Sequence, residues 1–187
     1  MFRFTSVRVP ALTAAVLFAA TAAVDIPHDQ PSHFRTPADY VLELLFAVAL
    51  SAAAIACQTW ACQDGCEVGC EDGCRAGRVT RAAVGTAAGG FVLLSASAWS
   101  TAARGQDSLG PVFLLGLLAL VGSAVALLVL DLRRRVAPRF AGITFALATV
   151  GMIALGDGYG VLAWTAGWVA IAALSQAGTR ERTAATV

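Results

Sequence analysis

Long apolar stretches separated by short charged segments dominate this chain of 187 residues. A helix that crosses the hydrocarbon core of a bilayer, about 30 Å thick, needs about 17–25 residues that are largely uncharged. Stretches that approach this standard lie at residues 9–24, 40–61, 82–103, 110–130, 140–155 and 158–174. The sequence therefore predicts an all-α fold, a polytopic transmembrane helix bundle with six spans that forms one membrane domain over residues 1–187.

Two features of the sequence are also compatible with a bundle of five spans. The fifth and sixth stretches are short and are joined only by residues 156–158, so this pair could dip into the outer leaflet as a hairpin. The first stretch follows Arg3 and Arg8 and ends near Ala22, a pattern that also resembles a cleaved signal peptide. Because further apolar stretches follow, we expect the first one to be kept as a span.

The positions of the arginines predict the orientation of the spans. Basic residues near span ends are retained on the cytoplasmic side during insertion. If the amino terminus lies inside, every arginine except Arg35 and Arg104 falls in an inner segment. We therefore expect a multi-pass protein of the cell (cytoplasmic) membrane with both termini in the cytoplasm.

A loop rich in Cys and Gly, residues 62–81, follows the second span and is predicted to be cytoplasmic. Within it a four-residue unit that begins with Cys and ends with Gly is repeated, which spaces Cys62, Cys66, Cys70 and Cys74 evenly. Clustered thiolates favour soft metal ions such as zinc or copper(I), although the spacing lacks the CxxC pairs of structural zinc sites. These four thiols are a candidate metal site, and duplication of a short coding unit in a tolerant loop is the simpler explanation of the repeat.

The first outer loop and the start of the second span contain a second cluster of possible ligands. A possible outer-face site comprises His28, His33, Asp39 and Glu43, whose imidazoles and carboxylates could bind a metal ion or titrate with external pH. Glu43 falls inside a predicted span, where acidic residues are functional candidates. It lies only about one turn from the outer boundary, so an interfacial pair with Arg35 is the simpler interpretation.

Small and aromatic residues predict how the spans pack. Helices in a bilayer associate where small residues let their backbones approach closely, and Gly85 and Gly89 have the GxxxG spacing of such a contact. Trp60 and Trp99 lie near span ends, where aromatic rings are usually interfacial anchors. Trp164 and Trp168 lie deeper in the sixth span and are expected to pack against a neighbouring helix.

The sequence carries no motif that identifies a reaction. It has no Ser/His/Asp order, phosphate-binding loop, dinucleotide fingerprint or HExxH motif, and a formal charge of +1 excludes the dense basic face of a nucleic-acid-binding protein. We expect a non-catalytic accessory or regulatory component without a cofactor, in contact with the lipid bilayer and with a membrane protein or a second copy of the chain. The alternatives are a transporter or sensor of a soft metal ion, and a membrane enzyme with a site at the outer face.

Overall fold

The structure is a computed structural model that describes residues 7–27, 36–63, 71–104, 110–133, 140–156 and 158–184, with the backbone alone described at residues 63, 71–77 and 177–184. All regular structure in these ranges is α-helical, which confirms the predicted all-α bundle. The helices are α1 (Arg8–Asp25), α2 (Pro37–Gln63), α3 (Glu71–Arg104), α4 (Gly110–Leu132), α5 (Ala141–Leu155) and α6 (Tyr159–Ala184).

Four of these helices are long and apolar enough to cross a membrane, over Arg8–Asp25, Pro37–Cys62, Arg78–Arg104 and Gly110–Leu132. Helix α5 is also apolar but has only 15 residues. Helix α6 has 26 residues, and its last turns carry Arg180, Glu181 and Arg182. These long apolar helices make the chain a membrane-embedded protein.

Helix α3 begins earlier than the sequence predicts. Residues 71–81 were expected to belong to the loop at 62–81, yet they form the first turns of α3, and α2 continues to Gln63. Gly73 and Gly77 weaken a helix by about 1 kcal/mol each relative to Ala. This cost is tolerated because extending an existing helix adds a hydrogen bond per residue without a new nucleation step. The predicted loop is therefore wrong at its ends.

The helices form a closed ring. Each helix packs against the next along the chain, and α6 packs against α1. The first helix is an integral part of this ring, since Ala11, Ala14, Phe18 and Ala22 are fully buried. Helices α3 and α6 consequently lie on opposite sides of the ring.

Aromatic rings meet across the middle of this ring. Phe91 of α3 reaches Trp164 and Trp168 of α6, with centroid distances of 5.2 and 5.9 Å. Phe18 of α1 lies 5.1 Å from Trp164, and Phe145 of α5 lies 6.3 Å from Phe91. Edge and tilted pairs of this kind contribute about 0.5–1.5 kcal/mol each beyond area burial. The expected packing role of the two tryptophans of α6 is confirmed.

The other two tryptophans differ from each other. Trp99 is 44% exposed near the end of α3, as an interfacial anchor requires. Trp60 is only 1% exposed and belongs to the packed core. The prediction that it is an interfacial anchor is wrong, because the closed ring of helices buries this face of α2 against its neighbours.

Glycines allow the closest helix contacts, but the predicted pair is not among them. A Cβ atom on Gly90 would lie 2.9 Å from the carbonyl oxygen of Gly116, so α3 and α4 meet there backbone to backbone. Gly85 and Gly89 have no atom within 4 Å of such a Cβ. The prediction that this pair packs against another helix of the chain is therefore wrong, and both glycines face outwards.

A buried carboxylate connects α4 to the start of α5. Asp131, only 5% exposed, accepts hydrogen bonds from the backbone N–H groups of Phe140 and Ile143, both at 3.0 Å. Phe140 has a left-handed backbone with φ of 70° and supplies no side-chain cap of its own. Asp131 thus satisfies N–H groups that the first turn of a helix leaves without an intrahelical partner.

Candidate functional site

Asp39, one of the predicted outer-face ligands, stabilises the beginning of α2. Its Oδ2 atom accepts hydrogen bonds from the backbone N–H of Thr36 at 2.5 Å and from the Thr36 hydroxyl at 3.0 Å. Pro37 between them occupies the first helical position, where a missing N–H costs nothing. This arrangement is similar to a capping box, in which an acidic side chain reaches back to the residue before the helix. Its geometry gives Asp39 a structural role.

Glu43 lines a cavity at the same end of the bundle. The carboxylate is half-buried, and the cavity, about 300 Å³ in volume, lies between α2, α3 and the start of α4. The hydroxyl-bearing residues Ser97 and Thr101 of α3 line it as well. Sequence analysis did not associate these two residues with Glu43, because only the packing of α3 against α2 brings them there. The structure thus places Glu43 at a cavity that two hydroxyl-bearing residues of α3 share.

The two histidines predicted for the outer-face site, His28 and His33, lie outside the described residues, as does Arg35. The outer-face site stays a prediction.

The cysteine repeat is described only in part. Cys62 is exposed near the end of α2, Cys74 lies in the first turns of α3 with its backbone alone described, and Cys66 and Cys70 lie outside the described residues. No group of three or more His, Cys, Asp or Glu residues with the spacing of a metal site occurs in the described part of the chain. Metal binding by the four thiols stays a prediction. Cys57, by contrast, is buried in the core.

A groove between α2 and α3, which we call the α2–α3 groove, is a feature that sequence analysis missed. It has a volume of about 750 Å³ and opens sideways from the bundle. The residues that line it include Ser51, Ile55, Gln58, Val92, Ser95 and Trp99. Its size is within the range of about 300–1,000 Å³ that is typical of ligand pockets. The lining is mainly apolar with a few polar groups, as in sites that bind amphipathic molecules.

Two serines join the helices at one end of this groove. The hydroxyl oxygens of Ser51 and Ser95 are 2.8 Å apart. Ser95 also donates to the carbonyl oxygen of Ala47 across the helix interface, at 3.0 Å. Interhelical hydrogen bonds of this kind contribute about 0.6–2 kcal/mol in membranes. The polar contact therefore holds α2 against α3 beside the opening.

Comparisons with protein-family models, with curated protein sequences and with solved structures found no significant match.

Proposed function

We propose that this protein is a non-catalytic accessory or regulatory component of the cell membrane that acts through its outer surfaces and does not conduct a solute through its centre. The observation that carries the proposal is the aromatic centre of the ring. Phe18 and Phe91 are fully buried, and Trp164 and Trp168 are 3% and 2% exposed. A permeation path needs a lining of polar groups or a water-filled passage. Closely packed aromatic side chains occupy that position among the described residues.

We infer six membrane crossings with both termini in the cytoplasm. The closed ring supports six, because removal of α1 as a signal peptide would open the ring between α2 and α6. Helix α5, at 1.5 Å per residue, is about 22 Å long, and a short span can be accommodated by local thinning of the bilayer. The orientation rests on the arginine distribution, with Arg78 and Arg81 inside and Arg104 outside.

Reporter fusions test this topology. A fluorescent protein fused after Val187 should fold and fluoresce, because that end is cytoplasmic, whereas a periplasmic phosphatase fused after Arg104 should be active. A phosphatase active after Arg81 would contradict the orientation. A phosphatase fused after residue 157 should also be active if the chain crosses the membrane six times. It should be inactive if α5 and α6 form a hairpin that fails to reach the outer side.

Reconstitution into liposomes tests the function. Liposomes that contain the purified chain should release potassium and zinc ions no faster than empty liposomes. The double variant Phe91→Ala with Trp164→Ala removes two of the rings that fill the centre. It is the matched control, because it shows whether the assay detects a leak through that position. Faster release by the wild type would refute the proposal. Stoichiometric zinc or copper in the purified chain, lost when Cys62, Cys66, Cys70 and Cys74 are changed to Ser, would favour the soft-metal alternative instead.

A further inference from the structure

The α2–α3 groove adjoins a second, more polar cavity. This cavity has a volume of about 420 Å³ and is lined by Gln58, Ala61, Cys62, Arg81 and Gly85. Gln58 and Cys62 also line the α2–α3 groove. The two spaces therefore adjoin, and together they offer an apolar part and a polar end, where the polar end is defined by Gln58, Cys62 and Arg81.

The apolar part and the polar end together have about the length of one bilayer leaflet. From Ser51 to Cys62, helix α2 rises about 16 Å at 1.5 Å per residue. Half of a hydrocarbon core of about 30 Å is about 15 Å. Ile55 and Val92 are exposed along this length, on the face that lipid tails reach. An acyl chain that lies beside Ile55 and Val92 would therefore end near Ser95.

Gln58 provides an independent reason to expect a ligand. Its side chain is exposed on the outer face of α2, about one turn inside the end of the apolar segment Pro37–Cys62. Within the described ranges its amide makes no hydrogen bond to another residue. A polar amide that faces hydrocarbon without a partner is unfavourable, and an ester carbonyl of a lipid at that depth would accept a hydrogen bond from it.

Two arginines lie at or near the polar end. Arg81 lines the polar cavity, and Arg78 is exposed about one turn earlier on α3. Both lie at the start of the apolar segment Arg78–Arg104, at the depth expected of lipid headgroups. Guanidinium groups bind phosphate well because their N–H donors match its oxygens, and basic pockets between helices on the cytoplasmic side bind anionic headgroups.

We propose that the α2–α3 groove and its polar end bind one anionic phospholipid. Arg81 contacts the phosphate, Gln58 donates to an ester carbonyl, and one acyl chain fills the groove along Ile55 and Val92. This lipid site goes beyond the accessory function and does not depend on it. In the inferred orientation the ligand comes from the cytoplasmic leaflet.

Native mass spectrometry of the purified full chain tests the headgroup contact. The chain is titrated with dioleoylphosphatidylglycerol, which is anionic, and with dioleoylphosphatidylcholine, which is neutral overall. We expect the anionic lipid to bind more tightly. Arg81→Gln should weaken its binding about fivefold, as expected for one lost arginine contact at the membrane surface, and should leave binding of the neutral lipid unchanged. Arg104→Gln is the matched control, since Arg104 is exposed at the other end of α3.

A second pair of variants tests the acyl-chain contact. Ala96 is exposed and lines the groove, so Ala96→Trp should fill it and lower the occupancy of both lipids. Leu118→Trp places the same ring on the exposed face of α4 and should have no effect. The arginine variants decide the result even if Ala96→Trp does not fold.

Three results would overturn the lipid site. The first is equal binding of both lipids by the wild type, and the second is an equal effect of Arg81→Gln and Arg104→Gln. The third is a dimer that Ala96→Trp dissociates while lipid binding stays unchanged, because the groove would then be covered by a second copy of the chain.

Discussion

Substitution of Gly142 by Ala should destabilise the protein by about 2 kcal/mol. A Cβ atom at this position would overlap the carbonyl oxygen of Leu127 and lie 2.8 Å from the carbonyl carbon of the same residue. Added methyl groups in a packed core cost about 1–3 kcal/mol, and the upper end applies here because the obstructing oxygen belongs to a helix backbone that cannot rotate away. The higher helix propensity of Ala returns at most about 1 kcal/mol.

Gly89→Ala is the matched control for this variant. Nothing lies within 4 Å of a Cβ atom at Gly89, so the propensity gain acts alone and should stabilise the protein by up to about 1 kcal/mol. Both free energies of unfolding are measured by titrating micelles of the purified protein with dodecyl sulfate and following the far-UV circular dichroism. Two variants with the same stability, or a greater loss from Gly89→Ala, would refute the packing of α5 against α4 described above.

Three further predictions concern the buried polar and thiol groups. Asp131→Asn should lower stability by about 1–3 kcal/mol in the same titration, because an amide offers one acceptor oxygen where two backbone N–H groups now bind a carboxylate. Trp164→Phe should change stability by less than about 1 kcal/mol, since it removes a buried Nε1–H without an acceptor among the described residues, which offsets the lost ring area. In variants that keep a single cysteine, a polar maleimide should label exposed Cys62 but not buried Cys57.

Each of these predictions has a result that contradicts it. Wild-type stability of Asp131→Asn would mean that the carboxylate does not bridge α4 to α5. A loss of more than about 3 kcal/mol in Trp164→Phe would show that the indole N–H has a hydrogen-bond acceptor. Labelling of Cys57 in the folded protein at the rate seen after denaturation would place that thiol outside the core.

The positions of the helices can be predicted from the sequence, because a helix that crosses the hydrocarbon core of a bilayer needs an apolar stretch of a defined length. The spans predicted at 40–61 and 110–130 lie within α2 and α4. The contacts between helices depend on how each helix is rotated about its own axis, and the local sequence pattern does not show which face it turns to its neighbours. Gly85 and Gly89 have the spacing of a contact pair and face outwards, whereas Gly90, one residue further along, meets Gly116.

The contacts of individual polar side chains could not be predicted from the sequence either. Asp131 lies at the end of an apolar run, and its hydrogen bonds reach residues 9 and 12 positions further along the chain. Neither the apolar stretch nor the positions of the polar residues in the sequence predict these two hydrogen bonds. Gln58, an uncharged polar side chain within the predicted span at 40–61, is the signal that the sequence offers for the proposed lipid site. Its significance depends on the direction in which the side chain points, which required the fold.

The closed ring has a consequence for biosynthesis. Trp164 and Trp168 belong to α6 and supply the rings that meet Phe91 from the opposite side. A ribosome makes α6 after α1–α5, so a chain translated only as far as α5 has an incomplete interior even when its earlier helices have entered the bilayer. Compaction of the ring must therefore wait until α6 has been made, and a product that stops before α6 would expose an unfilled apolar interior to the cell's quality-control proteases.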